Sequence, residues 1–325
     1  MKGTVMKNGW IGYAMEELKF VRSFSDFLNL CDKFWFASPV IVKWACRLRK
    51  APLCLQIEVT NKCNINCICC SRDVMKRETG YMDYDLFRKI IDDAADCGVK
   101  RVHLYLHGEP FLHPRIMEMI RYTKRQGLGI TLATNGTLLD KSRIAEILQA
   151  EVNNADHLMF SVLGYSKAVH ERVMRGVKHE NVLENIHDFV EMRKERRING
   201  PVLETVMYLM PENKEEEFSF ARYWRNVVDH VRQVGEIKQQ FSQYGNSEVL
   251  PQRKVSCKNV WERMTIFWNG DVTLCIADLD GECNFGNLRD SGIREIWNSP
   301  AMLDIREKHE AKQFESLVLC SKCDW

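Results

Sequence analysis

The chain of 325 residues lacks most of the features that would place it outside the ordinary globular proteins. It has only 8 prolines and no low-complexity tract, which excludes collagen-like and disordered classes. Neither sign of charge dominates, since 46 Lys and Arg balance 44 Asp and Glu, so the net charge does not favour nucleic acid. The longest apolar run near the start, residues 34–42, is far shorter than a membrane span of about 20 residues. With no signal-peptide pattern either, we expect a cytoplasmic protein with no membrane span and no nucleic-acid partner.

Cysteine, by contrast, is abundant, with 13 residues. A disulfide framework is typical of short secreted chains, whereas a chain of this length can bury a full core without one. The cysteine content therefore indicates metal or redox chemistry.

Hydrophobic periodicity divides the chain into three predicted regions. Residues 1–50 mix aromatic and basic side chains and are interpreted as a helical N-terminal extension. In residues 51–235, six apolar runs alternate with helical patterns, which predicts an α/β fold, a partial (β/α)6 barrel of parallel strands. The predicted strands cover residues 55–60, 99–106, 128–134, 157–163, 202–210 and 230–234. The predicted helices cover residues 84–97, 115–126, 141–150, 182–197 and 214–227. In such folds ligands bind at the carboxyl ends of the strands.

The tail, residues 236–325, is predicted to form a small C-terminal hairpin-and-helix domain. Strands at 261–269 and 271–276 flank a turn at Asn269-Gly270, and a helix follows near 293–308. Five of the cysteines lie in this tail, which indicates that metal ligation holds it together.

A first cysteine set follows the first predicted strand, where Cys63, Cys67 and Cys70 form a C-x3-C-x2-C pattern. Three thiolates on one loop can hold three irons of a 4Fe-4S cluster, which leaves the fourth iron open to a substrate or cofactor. The alternative is structural zinc, although zinc prefers a closed set of four ligands. Cys69 could replace Cys70 as the third ligand, but it is expected to be a non-ligand that faces the cluster or cofactor.

Motifs at the ends of the next strands follow in the order found in a known family. They are His107-Gly108-Glu109-Pro110, Thr134-Asn135-Gly136, Ser161-Val162-Leu163-Gly164 and, further on, Arg175. Together with the cysteine set, they resemble the radical S-adenosylmethionine (SAM) enzymes. The resemblance implies that the segment containing Glu109 receives the methionine amino group, that Thr134 and Asn135 lie near the cofactor, and that Ser161 helps to hold SAM. Arg175 is placed to bind its carboxylate, and His107 is a further candidate contact.

The resemblance also implies the chemistry. One electron from the cluster would cleave SAM into methionine and a 5'-deoxyadenosyl radical, which removes hydrogen from an unactivated C–H bond. An external one-electron reductant such as flavodoxin or ferredoxin would supply the electron.

A second cysteine set, Cys257, Cys275, Cys320 and Cys323, could form a closed site in the tail. Ligand count allows either a second 4Fe-4S cluster or zinc. Residues 269–275, 285–288 and 293–299 resemble the SPASM or twitch auxiliary domain of the same superfamily. With four ligands the tail is similar to the twitch form, which carries a single auxiliary cluster. The cysteine spacing resembles that of the 2-deoxy-scyllo-inosamine dehydrogenases, which oxidise a cyclitol alcohol.

Two tail residues are candidates for catalysis on the substrate. Cys283 could return a hydrogen atom to a substrate radical, or it could be inert or a cluster ligand. Asp278 could accept a proton or contact the substrate, or it could be a solvated turn residue. We therefore expect an enzyme that abstracts hydrogen from a small polar substrate (a sugar, cyclitol or nucleoside-like molecule), giving dehydrogenation or epimerisation. One alternative is a radical SAM maturase of a ribosomal peptide. An alternative of another class is a zinc-stabilised binding module without radical chemistry.

Overall fold

The computed structural model describes residues 49–235 and 256–323. From residue 51 onward, the described chain forms one compact unit. The helical extension predicted for residues 1–50 lies outside the described residues except for its last two, and so does the first part of the predicted tail, residues 236–255.

Six parallel strands form the centre of the molecule. They are β1 (Cys54–Ile57), β3 (Arg101–His103), β4 (Gly129–Thr134), β5 (His157–Ser161), β7 (Val202–Tyr208) and β8 (His230–Val234). Each lies within one of the six predicted strands or overlaps it, and they are neighbours in the sheet in this order. The sheet is not closed, so the α/β fold with a partial barrel is confirmed.

Helices connect the strands. They are α1 (Tyr84–Asp96), α2 (Ile116–Arg125), α3 (Lys141–Leu148), α4 (Lys167–Val173), α5 (His179–Glu195) and α6 (Glu217–Trp224). Asp83 and Asp140 cap α1 and α3 by accepting main-chain N–H bonds. Gly98 and Gly127 follow α1 and α2 with φ of 77° and 74°, the left-handed conformation in which glycine commonly ends a helix. Among residues 49–235 and 256–323, none of the helices combines the length and apolarity needed to cross a membrane.

The two faces of the parallel strands carry different side chains. One face contributes completely buried residues such as Leu55, Leu158 and Leu203 to a core shared with the helices. The alternate positions point to the opposite, inner face and are mainly polar. They include Gln56, Glu58, His103, Tyr105, Thr131, Met159, Ser161, Glu204, Tyr208 and Arg232, with the apolar Ala133 and Val206. A polar inner face is the surface expected of a binding cavity.

The tail continues the same sheet. Its elements are α7 (Asn259–Glu262), β9 (Arg263–Ile266), β10 (Asp271–Thr273), β11 (Asn284–Asn287), α8 (Ile293–Trp297) and α9 (Pro300–Glu310). β9 pairs in parallel with β1, and β10 pairs antiparallel with both β9 and β11. The helix predicted at 293–308 is two helices, because Ser299 caps a new helix that begins at Pro300.

A second, two-stranded sheet was not predicted. It pairs β2 (Asn66–Cys67) with β6 (Met174–Arg175), antiparallel. Strands of two residues are too short to show a period of two, so sequence periodicity could not reveal them. This small sheet links the loop of the first cysteine set to the region after β5.

Candidate active site

Cys63, Cys67 and Cys70 lie half-buried on the loop that leaves β1. Pairing of Cys67 with Met174 fixes the middle of this loop. Burial raises the pKa of the Cys67 thiol far above its usual value, and the neighbouring Cys69, Cys70 and Cys63 raise it further. Burial also raises the pKa of Cys63. Cys63 and Cys67 thus need a bound metal or cluster to become thiolates, which fits the predicted first cluster.

Cys69 lies on the same loop. Burial, followed by the nearby Cys70, raises its pKa to about 12. Cys69 also acts electrostatically on Tyr208, the last residue of β7, whose pKa is raised mainly by burial. Cys69 therefore lies near the end of β7, and its role as a non-ligand stays a prediction.

The motif His107 to Pro110 packs directly against the cysteine loop. The main-chain N–H of Glu109 donates to the carbonyl oxygen of Lys62 at 2.8 Å, one residue before Cys63. A β carbon at Gly108 would collide with the main-chain oxygens of Thr60 and Lys62. Only glycine therefore allows the motif to lie this close to the cysteine loop.

The Glu109 carboxylate is buried and accepts three hydrogen bonds. The donors are Phe111 N at 3.1 Å, Thr134 Oγ1 at 2.9 Å and Asn135 N at 2.8 Å. Burial raises the pKa of Glu109 to about 7, although these hydrogen bonds act to lower it. Glu109 thus joins the segment after β3 to the end of β4. Its binding of the methionine amino group stays a prediction, as does any contact from Pro110, which begins a buried 3-10 helix.

Asn135 connects the end of β4 to the first cysteine set. Its Nδ2 donates to Asn64 Oδ1 at 2.9 Å and lies 3.8 Å from Cys63 Sγ. Its Oδ1 accepts from the main chain of Thr137 at 3.0 Å. Thr134 and Asn135 therefore lie at the cysteine loop.

Ser161 and Arg175 lie on two different strands. Ser161 is half-buried at the end of β5, on the inner face of the sheet. Arg175 is in β6, where its Nε donates to the carbonyl oxygen of Asn66 at 2.9 Å. The small sheet therefore places Arg175 next to the cysteine loop, although the two are more than 100 residues apart in sequence.

Two buried charged residues, Glu58 and Arg77, were missed by the sequence analysis. Arg77 donates from Nη1 and Nη2 to the two carboxylate oxygens of Glu58 at 3.0 and 2.9 Å. His107 Nδ1 lies 2.9 Å from Glu58 Oε2. Burial alone would raise the pKa of Glu58, but the hydrogen bonds from His107 and Arg77 outweigh burial and lower it. The available signal was the polar residue Glu58 alternating with Ile57 and Val59.

The same three residues, which we call the Glu58 network, contact the tail near Cys275. His107 Nε2 lies 3.1 Å from the carbonyl oxygen of Ile276, and Arg77 Nε donates to that of Leu279 at 2.7 Å. The Arg77 guanidinium carbon lies 3.6 Å from the ring centre of Phe267. The network thus joins the motif at Gly108 to the segment after an auxiliary cysteine.

The second cysteine set converges in the tail. Burial, followed by the nearby Cys323 and Cys257, raises the pKa of Cys275 to about 12. Cys257 N donates to Nδ1 of the fully buried His309 at 3.2 Å, and His309 Nε2 lies 3.4 Å from Cys320 Sγ. All four predicted ligands are therefore linked through one small region.

Asp278 and Cys283 lie in the loop between β10 and β11. The buried Asp278 carboxylate accepts hydrogen bonds from the Thr273 hydroxyl, from Glu282 N at 2.8 Å and from Cys283 N at 2.9 Å. Burial, then Asp278 and Glu282, raise the pKa of Cys283 to about 11, so its sulfur is a thiol at neutral pH. Asp278 thus braces the loop that carries Cys283. The catalytic roles of both residues stay predictions.

The inner face of the sheet offers a polar surface at the same end of the strands. Arg232 Nε pairs with Glu204 Oε1 at 3.0 Å, and Arg232 Nη2 lies 3.1 Å from Met159 Sδ. Burial raises the pKa of both Tyr105 and Tyr208, so both keep their hydroxyl protons at neutral pH. These side chains can donate and accept hydrogen bonds to a polar ligand beside Cys69.

A single metal ion has no ready site in the part of the chain that the structure describes, where no three His, Cys, Asp or Glu side chains converge on one point. A four-iron cluster is much larger than an ion, so its cysteine ligands are expected to stand further apart. The two cysteine sets have the thiol donors that such clusters use.

The fold, the first cysteine set and the motif packed against it define a recognised class of enzymes. Residues 57–222, just over half of the chain, match the radical SAM superfamily, and the chain belongs to that superfamily. Residues 257–324 match the SPASM domain, an iron-sulfur cluster-binding domain. The predicted family is therefore confirmed. SAM and iron-sulfur clusters, the expected cofactors, are those of this superfamily and of this domain.

Individual relatives are more distant. The chain is 27% identical over 289 residues to the tungsten-containing aldehyde ferredoxin oxidoreductase cofactor-modifying protein of Pyrococcus furiosus. The aligned region covers 75% of this chain and 80% of that protein. The fold is similar to that of BtrN, a 2-deoxy-scyllo-inosamine dehydrogenase, in complex with AdoMet and 2-DOIA. The TM-score is 0.58 at 18% identity, and the match covers 84% of this chain and 93% of BtrN. The fold is also similar to that of Streptococcus suis SuiB bound to precursor peptide SuiA. The TM-score is 0.66 at 17% identity, and the match covers 82% of this chain and 71% of SuiB.

Proposed function

We propose that this radical SAM enzyme removes a hydrogen atom from a small polar substrate, such as a sugar, cyclitol or nucleoside-like alcohol, and dehydrogenates or epimerises it. The observation that carries the proposal is the polar inner face of the sheet, on which Tyr208 lies near enough to Cys69 of the first cysteine loop to be affected by its charge. Such a face suits a ligand held by several hydrogen bonds.

When bound, the cluster and SAM supply a 5'-deoxyadenosyl radical. Cys63, Cys67 and Cys70 would hold the cluster, with the loop fixed by β2 and β6. The segment His107 to Pro110, with Thr134 and Asn135, would hold the methionine end of SAM. Ser161 and Arg175 would complete the contacts. A flavodoxin-like or ferredoxin-like reductant would supply the electron.

The substrate would lie on the inner face, against Tyr105, Tyr208 and the Arg232–Glu204 pair. Cys257, Cys275, Cys320 and Cys323 would hold the auxiliary cluster, which in a dehydrogenase accepts the electron left on the substrate. In an epimerase, the protonated thiol of Cys283 would instead return a hydrogen atom.

A peptide substrate is the second candidate. Among the described residues, β8 lies at one edge of the sheet, and an extended peptide can bind to such an edge by adding a strand. The relative in complex with precursor peptide has a similar fold. A peptide would still have to present its reacting carbon to the inner face.

The test compares two cysteine variants of the anaerobically purified protein. With SAM and dithionite, Cys67→Ala is expected to abolish 5'-deoxyadenosine formation because it removes a ligand of the first cluster. Cys320→Ala is expected to retain that cleavage but to stop turnover of a substrate alcohol. Full turnover by Cys320→Ala would contradict the electron-acceptor role. A colourless protein with zinc and no iron in both sites would contradict radical chemistry altogether.

A further inference from the structure

His309 is a completely buried histidine in the last turn of α9, and it contacts two of the predicted auxiliary ligands. Its Nδ1 lies 3.2 Å from the main-chain nitrogen of Cys257, and its Nε2 lies 3.4 Å from Cys320 Sγ. The ring of Phe314 packs edge-on against it, with the ring centres 5.2 Å apart. The imidazole is therefore held between cysteines that are 63 residues apart in sequence.

These contacts fix which nitrogen carries the ring proton. A main-chain N–H can only donate, so His309 Nδ1 must accept the bond from Cys257 and carries no proton. The single proton of the neutral ring then lies on Nε2, which points at Cys320 Sγ. The backbone of one predicted ligand thus orients an N–H donor toward the sulfur of another.

We propose that His309 is a positioning residue of the auxiliary site that sets the reduction potential of its cluster by donating the Nε2–H to Cys320 Sγ. Hydrogen bonds to cluster sulfurs are among the factors that set the potential, because they stabilise the additional negative charge of the reduced state. His309 therefore raises the potential and makes the cluster a better electron acceptor. The inference rests on the proposed function, in which Cys320 is a cluster ligand.

The experiment needs a signal from the auxiliary cluster alone. Cysteines 63, 67 and 70 are changed together to alanine, and the full chain is reconstituted anaerobically with iron and sulfide. Dithionite reduction followed by electron paramagnetic resonance gives the midpoint potential. If this protein binds no iron, the proposed auxiliary cluster itself is wrong, and that outcome differs from a failure of the His309 inference.

Two substitutions in this background separate tuning from packing. His309→Leu fills the space of the imidazole but has no hydrogen-bond donor. The midpoint potential is therefore expected to move to more negative values at unchanged iron content. His309→Gln can accept from Cys257 and still donate to Cys320, so its potential is expected to lie closer to that of the parent. A His309→Leu potential equal to that of the parent would overturn the inference.

A measurement without substitution covers the case in which His309→Leu loses its cluster. In protein labelled with 15N-histidine, a hydrogen bond to a cluster thiolate is expected to give a 15N hyperfine coupling to the reduced cluster. The coupling should vanish in His309→Gln. Its absence from the parent protein would equally overturn the inference.

Discussion

Arg77→Met is expected to destabilise the protein strongly, because it removes the guanidinium that pairs with the buried carboxylate of Glu58. Glu58 is completely buried, and the Arg77 side chain is 12% exposed. Breaking a buried ion pair by removing one partner costs about 3–5 kcal/mol. The contact with Phe267 adds to this loss, since a cation over an aromatic ring contributes about 0.5–2 kcal/mol. The free energy of unfolding should therefore fall by about 3 kcal/mol or more.

Anaerobic urea unfolding of the cluster-loaded protein, followed by circular dichroism, measures this change. Arg88→Met is the matched control, because Arg88 pairs with Asp85 at 3.9 Å on the exposed surface of α1. Exposed pairs contribute about 0–1 kcal/mol, so the control should be nearly neutral. If Arg77→Met loses no more stability than Arg88→Met, the buried-charge reasoning is wrong.

Stability should also depend on pH through this pair. The pKa of Glu58 in the folded protein lies below its usual 4.5 because of His107 and Arg77. The stabilisation is therefore complete above the pKa of the unfolded chain and is lost as pH falls through the lower folded value. The stability difference between the parent and Arg77→Met should shrink as pH falls below about 4.5. A difference that is constant from pH 7 to pH 3 would refute this assignment.

Four further predictions concern the proposed site. Gly108→Ala should lower the free energy of unfolding by more than the roughly 1 kcal/mol expected where an added β carbon meets no other atom. It should also lower the iron content of the first cluster, and an unchanged iron content would show that the close approach is dispensable. Because burial raises the pKa of Glu109 to about 7, the SAM-free parent should lose about 3 kcal/mol of stability as pH rises from 4.5 to 7. Glu109→Gln should not show this loss, and identical pH profiles of the two proteins in urea unfolding would contradict the prediction. Tyr208→Phe should raise KM roughly 2- to 10-fold, as expected for one hydrogen bond, while SAM cleavage without substrate stays unchanged. In heavy water, an epimerase should place deuterium on the product carbon, and Cys283→Ala should abolish this; a product oxidised by two electrons would instead favour the dehydrogenase.

The sequence predicted the sheet and the cysteine sets because their signals are local. Each central strand alternates polar and apolar residues or forms a short apolar run, and each cysteine set has a recognisable spacing. The motif containing Gly108 could be assigned because it follows a strand adjacent to that of Cys63. Glycine is required there by the nearby main-chain oxygens of Thr60 and Lys62, a reason that only the structure supplies.

The contacts that join distant segments could not be predicted. Arg77 and His107 meet Glu58 although 19 and 49 residues separate them from it, and none of the three belongs to a spaced ligand pattern. In the sequence, His309 is one polar residue near the end of a helix. Its significance depends on Cys257 and Cys320 folding to opposite sides of one imidazole ring, which no helical period specifies.

The Glu58 network and His309 contribute to one arrangement of the two cysteine sets. The network ties the motif packed on the Cys63 loop to Ile276, the residue after Cys275, and His309 ties Cys257 to Cys320. Apolar residues of similar size often stabilise a core as well as a buried ion pair does. The presence of the Glu58 network is therefore better explained by its role in positioning the tail than by a gain in stability. Its hydrogen bonds are directional and specify where the tail lies against the motif. In the proposed function, the radical is generated beside the first cysteine set and the electron leaves through the second. The reaction therefore requires a defined position of one set relative to the other, and these side chains specify it.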